Sequence, residues 1–200
     1  MARNTRTQIA DAWRRLVLVK ELDSITIQEL TDEANVNKKT FYYHFHSMAD
    51  LLKWMYSEKF YEMVDEEGIT TDNSSELMTR VMSSLRKNLI YFSSIIGSKY
   101  ETEFWATSAK LIEYGMEKFV VAMKDKWEEE NKTRLHLTDQ QMNYLIRYHS
   151  MAFYGIAEQW FRSGLDLPDS ELLRIYNELS NESISIAFTL MNNANKGDLS

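Results

Sequence analysis

Apolar residues recur at three- and four-residue spacing along nearly the whole chain, and no stretch alternates with period two, so the pattern predicts an all-α protein. Ile9, Ala12, Trp13, Leu16 and Val19 form the first stripe, behind Thr5-Arg6-Thr7-Gln8, which reads as a capping box. Thr26-Ile27-Gln28-Glu29 repeats that box and opens a short helix with Ile27, Leu30 and Ala34 inward. Asn35-Val36-Asn37 follows as a turn, since asparagine tolerates the left-handed backbone that a tight helix-to-helix connection needs. Asn37 is then placed to cap a third helix over about 38–44. Ser47-Met48-Ala49-Asp50 opens a fourth, running towards Glu67.

The polar run 66–75 is the clearest loop, and Asn73-Ser74-Ser75-Glu76 starts the next helix, which extends to about Ser94. A long helix is expected over about 102–131, and Thr138-Asp139-Gln140-Gln141 caps another that ends at Arg162-Ser163-Gly164. Gly164 is the expected terminating residue and Pro168 seals the break. The last helix, about 169–193, carries Leu172, Tyr176, Leu179, Ile186 and Leu190 on one stripe.

Composition narrows the class. The chain has 200 residues, one proline and no cysteine, which removes disulfides, thiolate metal sites and cysteine nucleophiles. The polar N-terminus and the lack of any apolar run of bilayer length lead to the expectation of a cytoplasmic protein with no membrane role. A net charge of −7 runs against nucleic-acid binding until it is divided. Residues 1–56 carry +1 and the remainder −8, so the N-terminal part is permitted to meet phosphate while the rest is repelled.

The third helix holds the sharpest chemistry. Phe41 and Phe45 lie four apart and share an inward face, so Lys39 and Tyr43 point the opposite way, flanked by Thr40 and Tyr42. That outward face offers ammonium, hydroxyl and phenol groups to phosphates and base edges. Lys38 adds positive potential at the helix start, and the length suits a recognition helix entering the major groove. His44 and His46 are two apart and do not share a helix face, so no metal pair is expected. No Gly-rich phosphate loop, metal-ligand spacing or Ser-His-Asp set supports an enzyme, and no cofactor is expected.

The residues Thr26-Ile27-Gln28-Glu29-Leu30, Ala34 to Phe45 and Asp50-Leu51-Leu52 closely resemble the DNA-binding domain of the TetR family of transcriptional regulators. The core of the likeness is Thr40-Phe41-Tyr42-Tyr43-His44-Phe45 after a capped helix and a three-residue turn, and it covers about a quarter of the chain. The resemblance implies a helix-turn-helix domain over 1–47, a connecting helix over 48–67, and a larger helical effector-binding and dimerisation domain over 68–200. By position, Thr26 and Thr40 would hold phosphates, with Asn37 at the helix start. Lys38, Lys39 and Tyr43 would face bases or backbone. Tyr42 and His44 would lie on the backbone and a thymine methyl, and Arg3 and Arg6 would reach flanking phosphate or the minor groove. The family often has glycine at Asn35 and lysine at Met48; the second departure removes an ammonium and with it an expected phosphate contact, for which His46 would partly compensate.

The same resemblance implies a ligand-responsive repressor that binds a palindromic operator in double-stranded DNA as a homodimer, with a small-molecule effector of unknown identity. Trp105, Tyr114, Tyr148 and Trp160 are the candidate effector contacts, because each combines bulk with a polar atom needing a partner. The last two helices would pair with their twofold copies in a four-helix bundle. Ligand binding would tilt the fourth helix and change the spacing of the two recognition helices. Some activators of dihydroxyacetone-kinase operons share this general plan, which leaves a co-activator working through a protein partner as the alternative.

Overall fold

The computed structural model describes residues 4–197, and of Lys59, Lys196 and Gly197 the backbone alone. The described residues contain α-helices and no strand, in keeping with the apolar spacing. In chain order they are α1 (Thr5–Leu16), α2 (Ile27–Glu33), α3 (Lys38–His44), α4 (Met48–Glu67) and α5 (Ser74–Lys87), then α6 (Leu89–Ser93), α7 (Glu101–Asn131), α8 (Asp139–Arg162), α9 (Asp169–Asn177) and α10 (Ser183–Gly197). A 3₁₀ turn, Leu22–Ser24, precedes α2, and a π-turn, Glu178–Glu182, joins α9 to α10.

The chain divides into two compact units, Met1–Tyr61 with Lys87–Thr107 and Glu62–Arg86 with Ser108–Ser200. In the first, Trp13, Leu30, Phe41, Phe45 and Leu51 form one buried cluster with Ile95 and Phe104. The α6–α7 corner is therefore part of the core that anchors the short N-terminal helices. Polar bonds fasten it as well: the Lys99 amide donates to the Asp23 carboxylate at 3.2 Å, and the Lys99 ammonium donates to the Asp23 carbonyl at 3.2 Å.

The second unit is centred on Phe119, Val120, Leu145, Ile184 and Phe188. Its α8–α9 corner turns through two left-handed residues, Gly164 (φ 79) and Leu165 (φ 60). Arg86 holds that corner, donating to the carbonyls of Leu165 and Leu167 at 3.0 and 2.9 Å and to the Asp169 carboxylate at 2.6 Å.

Several local expectations are corrected. Asn4 rather than Thr5 caps α1, its side-chain oxygen accepting the Arg6 amide at 3.1 Å, so Thr5 lies inside the helix. Gln8, the other half of the expected box, instead donates to the Ala34 carbonyl at 2.6 Å and ties α1 to the end of α2. The first helix stops at Leu16, leaving Leu18 and Val19 exposed with no core to face. The helix expected to reach Ser94 breaks at Asn88, whose backbone (φ −111, ψ 14) leaves the α region.

The largest departure is in the last helix. Leu172, Tyr176, Ser180, Ile184, Phe188 and Asn192 are buried at strict four-residue spacing. Four residues of α-helix overshoot a full turn by about 40°, so such a series drifts off its face. The π-turn places an extra residue in one turn and takes up part of that drift. The expected stripe consequently splits: Leu172 and Tyr176 are buried, whereas Leu179, Ile186 and Leu190 are exposed.

Candidate nucleic-acid interface

The interface begins with two hydrogen-bonded helix ends. Thr26 Oγ1 accepts the Glu29 amide at 3.2 Å and the Glu29 carboxylate accepts the Thr26 amide at 3.0 Å, which completes the expected capping box of α2. A hydrogen bond from Lys20, reinforced by the Thr26 amide, pulls the Glu29 carboxyl down to about 2. At the other end of α2, Asn35 is left-handed (φ 52). Its amide donates to the Asp32 carbonyl and the Val36 amide to the Thr31 carbonyl, each at 3.0 Å, the pair of bonds that defines a Schellman stop.

The chain is then delivered directly to α3. Asn37 Oδ1 accepts the Thr40 amide at 2.8 Å and the Thr40 hydroxyl at 3.1 Å. Phe41 and Phe45 are both buried, their ring centroids 5.8 Å apart, and fix which way the seven-residue helix faces. On the outward side Lys38, Lys39 and Tyr42 are exposed and Tyr43 is 84% exposed. His44 is half-buried, with its ring edge against Tyr43 at 4.9 Å, and Thr40 is half-buried beside the cap. The sequence-nominated Lys38, Lys39, Tyr42 and Tyr43 are thus all at the surface of one short, pinned helix. Its donors can bond phosphates, and its phenol rings can lie against a thymine methyl.

Arg6 is placed differently from its neighbours in that set. Its guanidinium lies over the Phe45 ring at 5.8 Å and the Trp54 ring at 5.9 Å, a double cation–π contact that clasps α1 to the end of α3 and to α4. Arg3 lies outside the described residues. Thr26 is exposed with its hydroxyl engaged by Glu29.

His46, between α3 and α4, has a side chain 97% exposed, and its Nδ1 is 3.2 Å from Asp50 Oδ2. The His46 amide also donates to that oxygen at 2.9 Å, and this bond is the main reason that the Asp50 carboxyl sits below its ordinary range. The four-residue spacing of His46 and Asp50 was the only sequence signal of the pair. Met48, where the family often has lysine, is buried.

The four aromatic effector candidates fall in different places. Trp105 belongs to the first unit, where its indole N–H donates to Glu101 at 3.1 Å. In the second unit the Tyr114 hydroxyl donates to Asp65, and the buried Trp160 donates to the Leu167 carbonyl at 2.9 Å. Tyr148, on α8, is 69% exposed.

Comparison with known proteins agrees with this geometry. Residues 9–55 match the family described as bacterial regulatory proteins, tetR family. Residues 72–182, more than half of the chain, match the transcriptional regulator C-terminal region. A curated relative, the HTH-type dhaKLM operon transcriptional activator DhaS of Lactococcus lactis subsp. lactis (strain IL1403), is 22% identical over 179 residues, covering 88% of this chain and 87% of its own. The solved structure of a dihydroxyacetone kinase operon activator DhaS has the same fold, with a TM-score of 0.67 at 21% identity over 91% of this chain and 97% of that one. The chain belongs to the tetR family of bacterial regulatory proteins.

Proposed function

We propose that the protein is a homodimeric, ligand-responsive repressor that grips a palindromic operator through α3. The observation that carries this reading is the two-sidedness of α3. Two buried rings hold it, and Lys38, Lys39, Tyr42 and Tyr43 stand outward at its other side. Two such heads bound a turn of duplex apart would read symmetric half-sites.

Dimerisation is supported by apolar side chains left uncovered in the second unit. Tyr144, Tyr148 and Met151 are exposed on α8, and Leu179, Ile186 and Leu190 on the final helical stretch. A twofold copy would cover both stripes. Effector response is supported by the richness of the chain in large aromatic residues, with Trp105, Tyr114, Tyr148 and Trp160 as candidate contacts. It requires an effector that binds the operator-competent and operator-incompetent states with different affinity.

Selecting bound sequences from a random duplex pool, followed by footprinting and sedimentation, tests the reading. The expected outcome is a symmetric protected site and a species of twice the 23.6 kDa chain mass. Failure to retain any duplex at low salt would sink it. A second reading, activation, is favoured by the name of the Lactococcus relative, an operon activator. A reporter fused to the selected operator distinguishes the two, since expression falls on deletion of an activator and rises on deletion of a repressor.

A further inference from the structure

The second unit carries a cleft of about 430 Å³ that is lined by none of Trp105, Tyr114, Tyr148 and Trp160. It lies between the later half of α7 and the π-turn that leads into α10. Met123 and Trp127, both buried, give it an apolar floor. The Trp127 indole N–H already donates to Thr189 Oγ1 at 3.1 Å, so the ring offers the cleft carbon and π surface rather than a donor. A space of this size and character suits a small organic molecule.

The π-turn supplies the facing wall. Single π-turns within helices are frequent at functional sites, and this one brings Asn181 and Glu182 to the cleft together. Asn181 Oδ1 is closed to solvent, and no donor among the described residues reaches it. A buried acceptor in that state is destabilising, and a donor arriving through the cleft as the π-turn yields would recover the loss.

The charges at the rim decide what the cleft accepts. Lys126 and Glu130 are exposed one turn apart on α7, and Glu182 is exposed across from them. Two carboxylates against one ammonium leave the rim net negative, and Asn181 adds a further acceptor. The hydroxyls of Thr71 and Ser185 serve either role. An anion would meet repulsion here and a neutral molecule only weak bonds. An ammonium on an apolar body satisfies every part of the site: carboxylates for its N–H donors, an indole ring for its charge and a floor for its hydrocarbon.

We propose that this cleft binds a small organic ammonium ion, with its apolar body on Met123 and Trp127 and its nitrogen directed to Glu130, Glu182 and Asn181. The site itself is independent of the DNA-binding reading. Its regulatory meaning rests on the ligand-responsive reading above, for which it names a chemical class of effector. Ile186, on the uncovered stripe, borders the cleft and gives occupancy a route to the proposed dimer contact.

The test titrates three probes with similar apolar bodies and different charge into the full chain by calorimetry: phenethylamine, phenethyl alcohol and phenylacetate. Phenethylamine is expected to bind roughly tenfold more tightly than the alcohol, and phenylacetate not measurably. Glu130→Gln with Glu182→Gln should weaken amine binding by roughly tenfold. Lys126→Gln should tighten it, because a like charge is removed. Glu129→Gln, exposed on the same helix outside the cleft, should match the wild type. Asn181→Leu should melt no lower than the wild type, since an orphaned acceptor is removed, and should bind the amine more weakly. Thermal melts of the carboxamide variants check that these exposed substitutions leave the fold intact. No amine binding at about 10 mM, equal binding of the alcohol or phenylacetate, or wild-type affinity in the double variant or in Asn181→Leu overturns the proposal. Amine binding that follows the expected pattern but leaves duplex affinity unchanged upholds the site and counts against the ligand-responsive reading instead.

Discussion

Asn37 accepts both the amide and the hydroxyl of Thr40 on one side-chain oxygen, at 2.8 and 3.1 Å, and so decides where α3 begins. Because the cap sits at the end of the helix expected to meet the groove, stability and recognition are joined at a single residue. Asn37→Ala should cost about 1 kcal/mol in denaturant unfolding, the usual loss for a removed cap, and should weaken duplex binding as the first turn frays. Asn37→Asp separates the two effects. Aspartate caps equally well, so stability should hold, while its charge faces phosphate and affinity should fall. Equal affinity of the aspartate variant and the wild type would remove Asn37 from the interface.

Tyr43 and Phe41 lie two residues apart on opposite sides of the same helix, 84% exposed and fully buried respectively. Tyr43→Ala should leave the melting temperature unchanged and weaken operator binding by about 1–3 kcal/mol, the range for a base contact. Phe41→Ala should instead cost about 3–5 kcal/mol of folding stability. A melt that collapses for Tyr43→Ala would show that the outward face is misassigned.

The uncovered stripes of the second unit make a separate expectation. Met151 is 71% exposed on α8 and Leu190 is exposed on α10. If the proposed dimer forms through these stripes, Met151→Asp with Leu190→Glu should leave only the 23.6 kDa monomer in sedimentation, with far-UV circular dichroism unchanged and operator affinity reduced. A double variant that stays dimeric would move the interface elsewhere.

His149 is buried on α8, and desolvation lowers its pKa below the ordinary imidazole value of 6.5. The unfolded chain therefore takes up the proton first as the pH falls. Its contribution to stability is complete above about pH 6.5 and is lost progressively below it. Melting temperature measured from neutral to about pH 5 should fall, and His149→Gln should flatten that fall. An unaltered acid slope in the variant would assign the effect to other groups.

Much of the helical framework was legible because its determinants are local. The bounds of α3, the Thr26 and Thr138 capping boxes and the left-handed Asn35 and Gly164 all depend on hydrogen bonds or torsions within a few residues. Short-range chemistry of that kind leaves a mark in short stretches of sequence. The outward Lys39 and Tyr43 followed from helical geometry once Phe41 and Phe45 were placed inward.

Other features depended on what stands opposite a residue, which periodicity does not record. A stripe with the right spacing can face its own core or remain uncovered, and Leu172 and Leu190 took different fates on opposite sides of a π-turn. Spacing likewise did not separate buried Trp160 from exposed Tyr148, nor reveal that Arg6 rests on two rings. The amino-acid order alone determined an all-helical chain with a capped, ring-anchored third helix, because helix propensity, capping and amphipathic spacing act along the chain. Only the tertiary structure decided which faces are covered and that Asp50 receives both the amide and the ring of His46, because burial and orientation depend on the atoms that folding brings alongside.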